Sequence, residues 1–122
     1  MKVLIADDER FVRFAMRLAL AEAGHDVLEA ADGEEAAEAI LEHSPDALVL
    51  DLVMPRWTGY DVLRWLSDQP RFSQLPVVIL SAFVADAETF ERDSKVVAVL
   101  QKPLYIDQLF EALLACERRL VA

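Results

Sequence analysis

Short apolar runs alternate along this chain with longer segments in which apolar residues recur at helical spacing. The strand-like runs, such as residues 47–50, are continuously apolar, which is typical of strands covered on both faces of a sheet. The longer segments carry stripes such as Leu109, Leu113 and Leu120, which are typical of helices packed on one face. The pattern predicts strands over residues 2–6, 26–30, 47–50, 77–80 and 96–101, and helices over residues 9–23, 33–43, 60–67, 85–94 and 104–120.

The regular alternation of strand and helix predicts the fold class. Five βα units in succession favour a parallel sheet with helices on both faces. Right-handed crossovers and a doubly wound strand order place functional groups at the carboxyl ends of the strands. Because no linker, repeat or low-complexity segment interrupts the pattern, residues 1–122 are expected to form one domain of ordinary size.

Charge and cysteine content narrow the classes of function. The chain has 12 basic and 22 acidic residues, a net charge of −10, which disfavours direct binding to nucleic acid or to an anionic membrane surface. No apolar run approaches the roughly 20 residues of a membrane-spanning helix. The lone Cys116 excludes an internal disulfide and fits a reducing compartment, so the expected location is cytoplasmic.

Four of the predicted strands run into polar residues of a particular kind. The first runs into Asp7-Asp8, the third into Asp51, the fourth into Ser81 and the fifth into Lys102. Because the carboxyl ends of parallel strands meet at one edge, three carboxylates, a hydroxyl and an ammonium are expected to lie together. This set of groups suits a divalent cation and a phosphoryl group.

The acidic residues indicate both a cation site and a nucleophile. Three carboxylates in one pocket repel each other, and a hard dication such as Mg²⁺, which prefers oxygen ligands, relieves that repulsion. Asp51 is the best candidate nucleophile, because it ends a buried strand and a carboxylate can carry a phosphoryl group. The simpler roles are a helix N-cap and first-turn acid for Asp7 and Asp8 and a turn acid for Asp51. The expected meeting of these acids with Lys102 at one edge of the sheet disfavours those simpler roles.

Lys102 and Ser81 complete the expected set. Lys102 precedes Pro103, and a residue before proline is held extended, so its ammonium is expected to project over the edge and pair with Asp51. Ser81 offers one donor to a phosphoryl oxygen. The ordinary alternatives are an exposed lysine and a serine at strand ends, and Ser81 taken alone is a weak signal.

Together these residues resemble the receiver domain of bacterial two-component response regulators. The resemblance covers essentially the whole chain and rests on Asp7-Asp8, residues 51–55 with Gly59 beyond, Ser81-Ala82 and Lys102-Pro103, in that order and spacing. It implies a flavodoxin-like (βα)5 fold of the single-domain, chemotaxis-regulator kind. The implied sheet is parallel and five-stranded, in the order 2-1-3-4-5, with helices on both faces.

The resemblance also implies roles for individual residues. Asp51 would match the phosphoacceptor, and Ser81 and Lys102 the residues that bind the phosphoryl group. The implied Mg²⁺ site, for which Mn²⁺ is an alternative, consists of Asp7, Asp8, Asp51 and the backbone carbonyl of Val53.

The family implies partners as well. The donor would be a phosphohistidine on a sensor histidine kinase or a histidine phosphotransfer protein, and the domain would assist only its own phosphorylation and dephosphorylation, not turn over an external substrate. Output would pass to a downstream protein through the fourth helix, fifth strand and fifth helix, from a monomer or weak homodimer. Polar contacts on that face are expected from Arg92, Lys95, Gln101 and residues 117–119.

Three positions that the resemblance singles out bear on mechanism. Val99 stands three residues before Lys102, where many receivers carry an aromatic residue that swings inward on phosphorylation. Val53 and Phe83 occupy the two positions that border the phosphoryl site in this family. Because neither side chain can orient a hydrolytic water by hydrogen bonding, slow autodephosphorylation is expected.

Three other readings compete with a phosphoacceptor module. A pseudo-receiver that binds proteins without using phosphate is favoured slightly by Val99 but disfavoured by the complete set of site residues. A Mg²⁺-dependent phosphatase with an aspartyl nucleophile typically needs a second acid where Val53 stands, and the chain has no room for a cap domain. A flavodoxin needs a hydroxyl- and glycine-rich phosphate loop after the first strand, where residues 7–10 would repel phosphate through their acids.

Overall fold

The computed structural model describes residues 1–83, 86–90 and 92–121. The strands are β1 (Lys2–Ala6), β2 (Asp26–Ala30), β3 (Ala47–Asp51), β4 (Val77–Ser81) and β5 (Val96–Gln101). The helices are α1 (Arg10–Glu22), α2 (Gly33–His43), α3 (Gly59–Ser67), α4 (Asp86–Thr89) and α5 (Ile106–Leu120), with a short 3-10 helix at Pro70–Phe72.

The strands form one parallel sheet in the order β2-β1-β3-β4-β5. The predicted sheet and strand order are therefore confirmed. Ala6 pairs with Leu50, and Asp51 pairs with Leu80, so the ends of β1, β3 and β4 lie side by side. This register brings the residues that follow the three strands to one edge.

Both faces of the sheet are covered, which explains the continuously apolar strands. Alternate residues of a strand point to opposite faces. Leu48 and Leu50 belong to the core on the side of α2 and α3, whereas Val49 packs in the core on the side of α1 and α5. Every residue of β3 and β4 is buried, so the residues that end these strands emerge from a rigid base.

The fourth helix differs most from the expected pattern. A helix was predicted over residues 85–94, and the structure has Asp86–Thr89; residues 85 and 91 lie outside the described residues. Phe90 is buried and stacks on Tyr60 with ring centroids 5.7 Å apart. Beyond it, the Asp93 carboxylate accepts from the N–H of Lys95 at 3.0 Å, a local turn that competes with helix.

The other ends differ by one or two residues. β3 and β4 each extend by one residue, to include Asp51 and Ser81. α5 begins at Ile106, not at residue 104, because Tyr105 has extended backbone angles (φ −100°, ψ 128°). Asp32 caps α2, and its side chain accepts from the N–H of Glu35 at 2.9 Å. No helix in the described part of the chain is long and apolar enough to cross a membrane.

Candidate functional site

Three aspartates meet at the carboxyl edge of the sheet. Because β1 and β3 are neighbours, Asp7 and Asp8 after β1 come beside Asp51 at the end of β3. One carboxylate oxygen from each residue lies within 4.8 Å of the other two. Asp7 and Asp51 are buried, whereas Asp8 is exposed. The cluster is therefore a buried pair of acids with a third acid open to solvent.

The main chain of Asp7 is held in place from two directions. Its N–H donates to the carbonyl of Ala30 at 3.1 Å, and its carbonyl accepts from the guanidinium of Arg13 at 2.8 Å. Arg13 is itself paired with Glu29 at 3.0 Å. These contacts fix the direction in which the buried carboxylate points.

The carboxylate of Asp7 is only partly satisfied. Oδ1 accepts from the N–H of Glu9 at 2.8 Å. Oδ2 lies 3.0 Å from Lys102 Nζ, but within the described residues it has no hydrogen bond of regular geometry. A buried carboxylate oxygen without such a partner is costly. A cation is the ligand that would complete it.

Asp51 sits between one favourable and one unfavourable charge. Its Oδ1 accepts from the N–H of Val53 at 3.2 Å, and its Oδ2 lies 3.3 Å from Lys102 Nζ. Burial, and next the negative charge of Asp7, raise the pKa of Asp51 from 3.8 to about 6, although Lys102 and the Val53 N–H act to lower it. The protein thus holds this carboxylate in an environment that resists its charge.

Lys102 is the cation that compensates the acids. Its Nζ lies 3.0 Å from Asp7 Oδ2, 3.3 Å from Asp51 Oδ2 and 3.4 Å from Glu9 Oε1. Burial lowers the pKa of Lys102, but contact with Asp7 and the charge of Asp51 outweigh it, so the pKa is raised above its usual value. Glu9 was not anticipated from the sequence; the only signal was its position directly after Asp7 and Asp8.

The main chain holds Lys102 against the neighbouring strand. Its N–H donates to the carbonyl of Ser81 at 2.7 Å. The Lys102–Pro103 peptide bond is cis, which the extended geometry expected before proline did not anticipate. The ammonium nevertheless reaches over the edge to Asp51, as that expectation required.

Ser81 ends β4 at the same edge and is buried. Its hydroxyl accepts from the N–H of Phe83 at 3.0 Å and donates to the Phe83 carbonyl at 3.1 Å. The side chain is therefore oriented by the loop that follows it. The hydroxyl stands on the strand next to β3, the strand that ends at Asp51.

Gly59 lies against the backbone of Asp51. Its N–H donates to the Leu52 carbonyl at 3.0 Å. A Cβ at this position would come within 2.5 Å of the Asp51 carbonyl oxygen and 2.7 Å of Leu52 Cα. Since no side chain fits there without moving this backbone, the glycine allows α3 to begin directly beneath the acid.

The loop between β3 and α3 is also fastened to the start of α2. Arg56 adopts a positive φ of 63°, and its guanidinium lies 3.5 Å from the buried carboxylate of Asp32 and 3.7 Å from the exposed carboxylate of Glu34. The Gly33 N–H donates to the Trp57 carbonyl at 3.1 Å. These contacts restrain the backbone on the far side of Val53.

The structure places Val53, Phe83 and Val99, the three positions that bear on mechanism. Val53 and Phe83 are 70% and 68% exposed and present hydrocarbon at the two positions noted above. Val99 is half-buried against the core on the side of α2 and α3. No aromatic ring occupies its place, so an inward swing of that residue is not available.

The donor set of the acidic cluster fits a hard cation. Carboxylate oxygens are the ligands that Mg²⁺ prefers, and it commonly uses one or two of them together with water and phosphate oxygens. Asp7 Oδ2 is buried and incompletely bonded, and Asp8 is open to solvent. Asp7 therefore offers the ion a buried oxygen, Asp8 offers an oxygen on a solvent-exposed side chain, and Asp51 offers an oxygen of the candidate nucleophile.

The position of Asp51 between Asp7 and Lys102 predicts an unusual titration. In cation-free protein its pKa is expected near 6, and Lys102→Met should raise it further, whereas Asp7→Asn should lower it. Carbon-13 NMR of the Asp51 side-chain carboxyl against pH measures both shifts. An Asp51 that titrates near 4 and does not respond to Lys102→Met would contradict this electrostatic description.

The same shift sets the sign of a stability effect. Because the folded-state pKa exceeds the unfolded value of 3.8, the folded state holds the proton more tightly. Between about pH 4 and pH 6 the free energy of unfolding should therefore fall as pH rises. The pKa shift corresponds to a free energy of unfolding that is lower above about pH 6 than below about pH 4, by an amount on the order of 3 kcal/mol. Urea unfolding at several pH values without divalent cations measures this difference.

Comparison with known proteins gives a consistent assignment. Residues 3–114 match the family model described as the response regulator receiver domain. Response regulator MprA of Mycobacterium avium is 37% identical over 120 residues, which cover 98% of this chain and 52% of that protein. This chain therefore spans about half the length of that curated relative.

Two solved structures show the same architecture. A putative response regulator from Chloroflexus aurantiacus superposes with a TM-score of 0.86 at 30% identity, covering 94% of this chain and 95% of that one. The chemotaxis response regulator CheY4 of Vibrio cholerae superposes with a TM-score of 0.85 at 26% identity, covering 94% and 97%. The chain belongs to the response regulator receiver domain family.

Proposed function

We propose that this receiver domain accepts a phosphoryl group on Asp51 in a Mg²⁺-dependent reaction. The observation that carries the proposal is the meeting of Asp7, Asp8 and Asp51 within 4.8 Å, with the Lys102 ammonium 3.3 Å from Asp51 Oδ2. A nucleophilic carboxylate, acids for a cation and an ammonium for the transferred group are thus in one place.

The proposed chemistry is a transfer to a carboxylate oxygen. An Asp51 oxygen attacks phosphorus, and the bond to the donor nitrogen of a phosphohistidine breaks as an acyl phosphate forms. The donor ring, already protonated on its other nitrogen, takes the electron pair of the broken bond and leaves as neutral imidazole. Asp51 must be ionised to attack. Lys102 moves from the carboxylate to a phosphoryl oxygen, and the Ser81 hydroxyl exchanges its contact with Phe83 for another phosphoryl oxygen.

The proposed Mg²⁺ site consists of Asp7, Asp8, Asp51 and the carbonyl of Val53. When bound, Mg²⁺ supplies positive charge that offsets the repulsion among the acids and the charge of the phosphoryl oxygens. With the repulsion relieved, the pKa of Asp51 would fall, which favours the ionised carboxylate that attacks. The main-chain hydrogen bond from Gly59 to Leu52 and the ion pairs of the Arg56 guanidinium keep the Val53 segment close to the acids.

The proposed donor is a histidine kinase or histidine phosphotransfer protein. Phe11, Phe14 and Leu18 form an exposed apolar stripe along α1, the helix that begins two residues after Asp8. Exposed apolar side chains at this spacing suit contact with a helical protein surface. Such a surface could hold a phosphohistidine over the acids.

For output we propose the face of α4, β5 and α5, with one correction. Lys95 was expected to contact a partner there, but it is buried and pairs with Asp93 at 3.1 Å and Ser67 Oγ at 3.2 Å. A lysine with two fixed polar partners can be buried, which its charge alone did not suggest. Arg119 is also engaged, because its guanidinium donates to the Ser94 carbonyl.

Incubation with acetyl phosphate and Mg²⁺ tests the acceptor directly. We expect wild type to gain the mass of one phosphoryl group and Asp51→Asn to gain none, because the amide is not a nucleophile for this transfer. Intact-mass spectrometry measures both. Glu111→Gln, an exposed acid on α5, is the matched control and should label like wild type.

The contrary result has a definite meaning. If wild type takes no phosphoryl group and also fails to bind beryllofluoride, the phosphoacceptor assignment is wrong. The pseudo-receiver, acting as a phosphate-independent scaffold for other proteins, would then replace it.

The exposed hydrocarbon of Val53 and Phe83 predicts a long-lived acyl phosphate. Without polar groups at these positions to orient water, hydrolysis should take minutes or longer. Val53→Asn combined with Phe83→Glu should shorten the lifetime several-fold, because both new side chains can hydrogen-bond a water beside the phosphoryl group. Loss of the mass adduct with time measures the lifetime, and a wild-type lifetime of seconds would refute the idea.

A further inference from the structure

Glu9 places a negative charge at the mouth of the acidic site. Its backbone precedes α1 in an extended conformation (φ −79°, ψ 108°), and its side chain makes no capping hydrogen bond to the helix. Instead its Oε1 lies 3.4 Å from Lys102 Nζ, while the side chain remains 60% exposed. Within the described residues, the acid cluster that could hold a metal comprises Asp7, Asp8 and Asp51 and does not include Glu9.

We propose that Glu9 sets the charge of the phosphodonor that this site accepts, disfavouring free dianionic donors. The inference rests on the proposed phosphoacceptor function and adds a specificity-determining residue to it. Two consequences of the Glu9 position carry it: competition for Lys102 and repulsion at the entrance.

The competition follows from the three contacts of Lys102. Its ammonium must leave a carboxylate before it can bind a phosphoryl oxygen. Asp7 and Asp51 are buried and belong to the acid cluster, so Glu9 is the one solvent-exposed partner among the three. A carboxylate that follows the ammonium on a flexible, exposed side chain continues to compete with the incoming phosphoryl group.

The repulsion follows from simple electrostatics. A unit charge several ångströms from an approaching dianion, in water, lowers the encounter and binding constants about three- to tenfold, and a monoanion about two- to threefold. Salt at about 1 M shortens the screening length to roughly 3 Å and removes most of the effect. A phosphohistidine presented by a protein surface brings its own compensating contacts and is less sensitive.

The ordinary alternative is an acid that only favours the N-terminal end of α1. Such an acid stabilises the helix modestly by interacting with the helix dipole. Its removal would change the stability of the protein but would affect the rates with different phosphodonors equally. The two roles therefore differ in a measurable ratio of rates.

The test compares two donors of different charge in wild type, Glu9→Gln and Glu9→Asp. Acetyl phosphate is a dianion near neutral pH, and phosphoramidate carries a net single negative charge. We expect Glu9→Gln to raise the rate with acetyl phosphate about three- to tenfold and the rate with phosphoramidate about two- to threefold. Glu9→Asp keeps the charge and should keep the wild-type ratio of the two rates.

Two controls sharpen the comparison. Glu38→Gln makes the same change in net charge at an exposed position of α2, beyond its first turn, and should leave both rates near wild type. In about 1 M salt the advantage of Glu9→Gln with acetyl phosphate should largely disappear. An equal factor for both donors, a decrease with both, or an advantage that persists in salt would overturn the proposal.

Failure of the proposed function is distinguishable from failure of this inference. If no variant takes a phosphoryl group from either donor, the acceptor assignment fails. The affinity for inorganic phosphate, followed through the nitrogen-15 signal of the Lys102 side chain, then decides on Glu9 alone. Tighter phosphate binding by Glu9→Gln supports the proposed repulsion of anions by Glu9, and an unchanged affinity overturns it.

Discussion

The chemistry of this receiver domain depends on one shortage of positive charge. A single ammonium, Lys102 Nζ, lies within 3.4 Å of three carboxylates, and the exposed Asp8 adds a fourth acid to the edge. Burial, and next the negative charge of Asp7, raise the pKa of Asp51, and Asp7 Oδ2 is incompletely bonded. An arrangement of this kind costs stability in the free protein and favours any ligand that brings positive charge or takes up the ammonium.

The rest of the fold keeps that arrangement from relaxing. Strands β1, β3 and β4 are buried on both faces, so their ends cannot spread to separate the acids. Gly59 lets α3 start directly against the Asp51 backbone, and Arg56 ties the following loop to the capped end of α2. Contacts that lie outside the site thus keep the repelling acids close together. Conformational freedom within the site remains mainly in exposed side chains such as Glu9.

Sequence reasoning anticipated what depends on period and order along the chain. The apolar runs predicted the strands within one residue, and their polar ends predicted which side chains meet. It did not anticipate contacts that depend on three-dimensional packing: Glu9 on Lys102, Arg56 on Asp32, or the cis bond before Pro103. Lys95 shows the limit clearly, because a charged residue is normally exposed, and only the positions of Asp93 and Ser67 allow it to be buried.

The most direct test of the charge shortage is urea unfolding of wild type and Asp51→Asn near neutral pH, once with a chelator and once with Mg²⁺. Without cation, Asp51→Asn should be the more stable protein by about 1–3 kcal/mol, because it removes a charge that burial and the charge of Asp7 both disfavour. With saturating Mg²⁺, wild type should gain more stability than the variant and the difference should shrink. A wild type that is already the more stable protein in chelator, or an equal gain from Mg²⁺ in both proteins, would contradict the proposed shortage of positive charge.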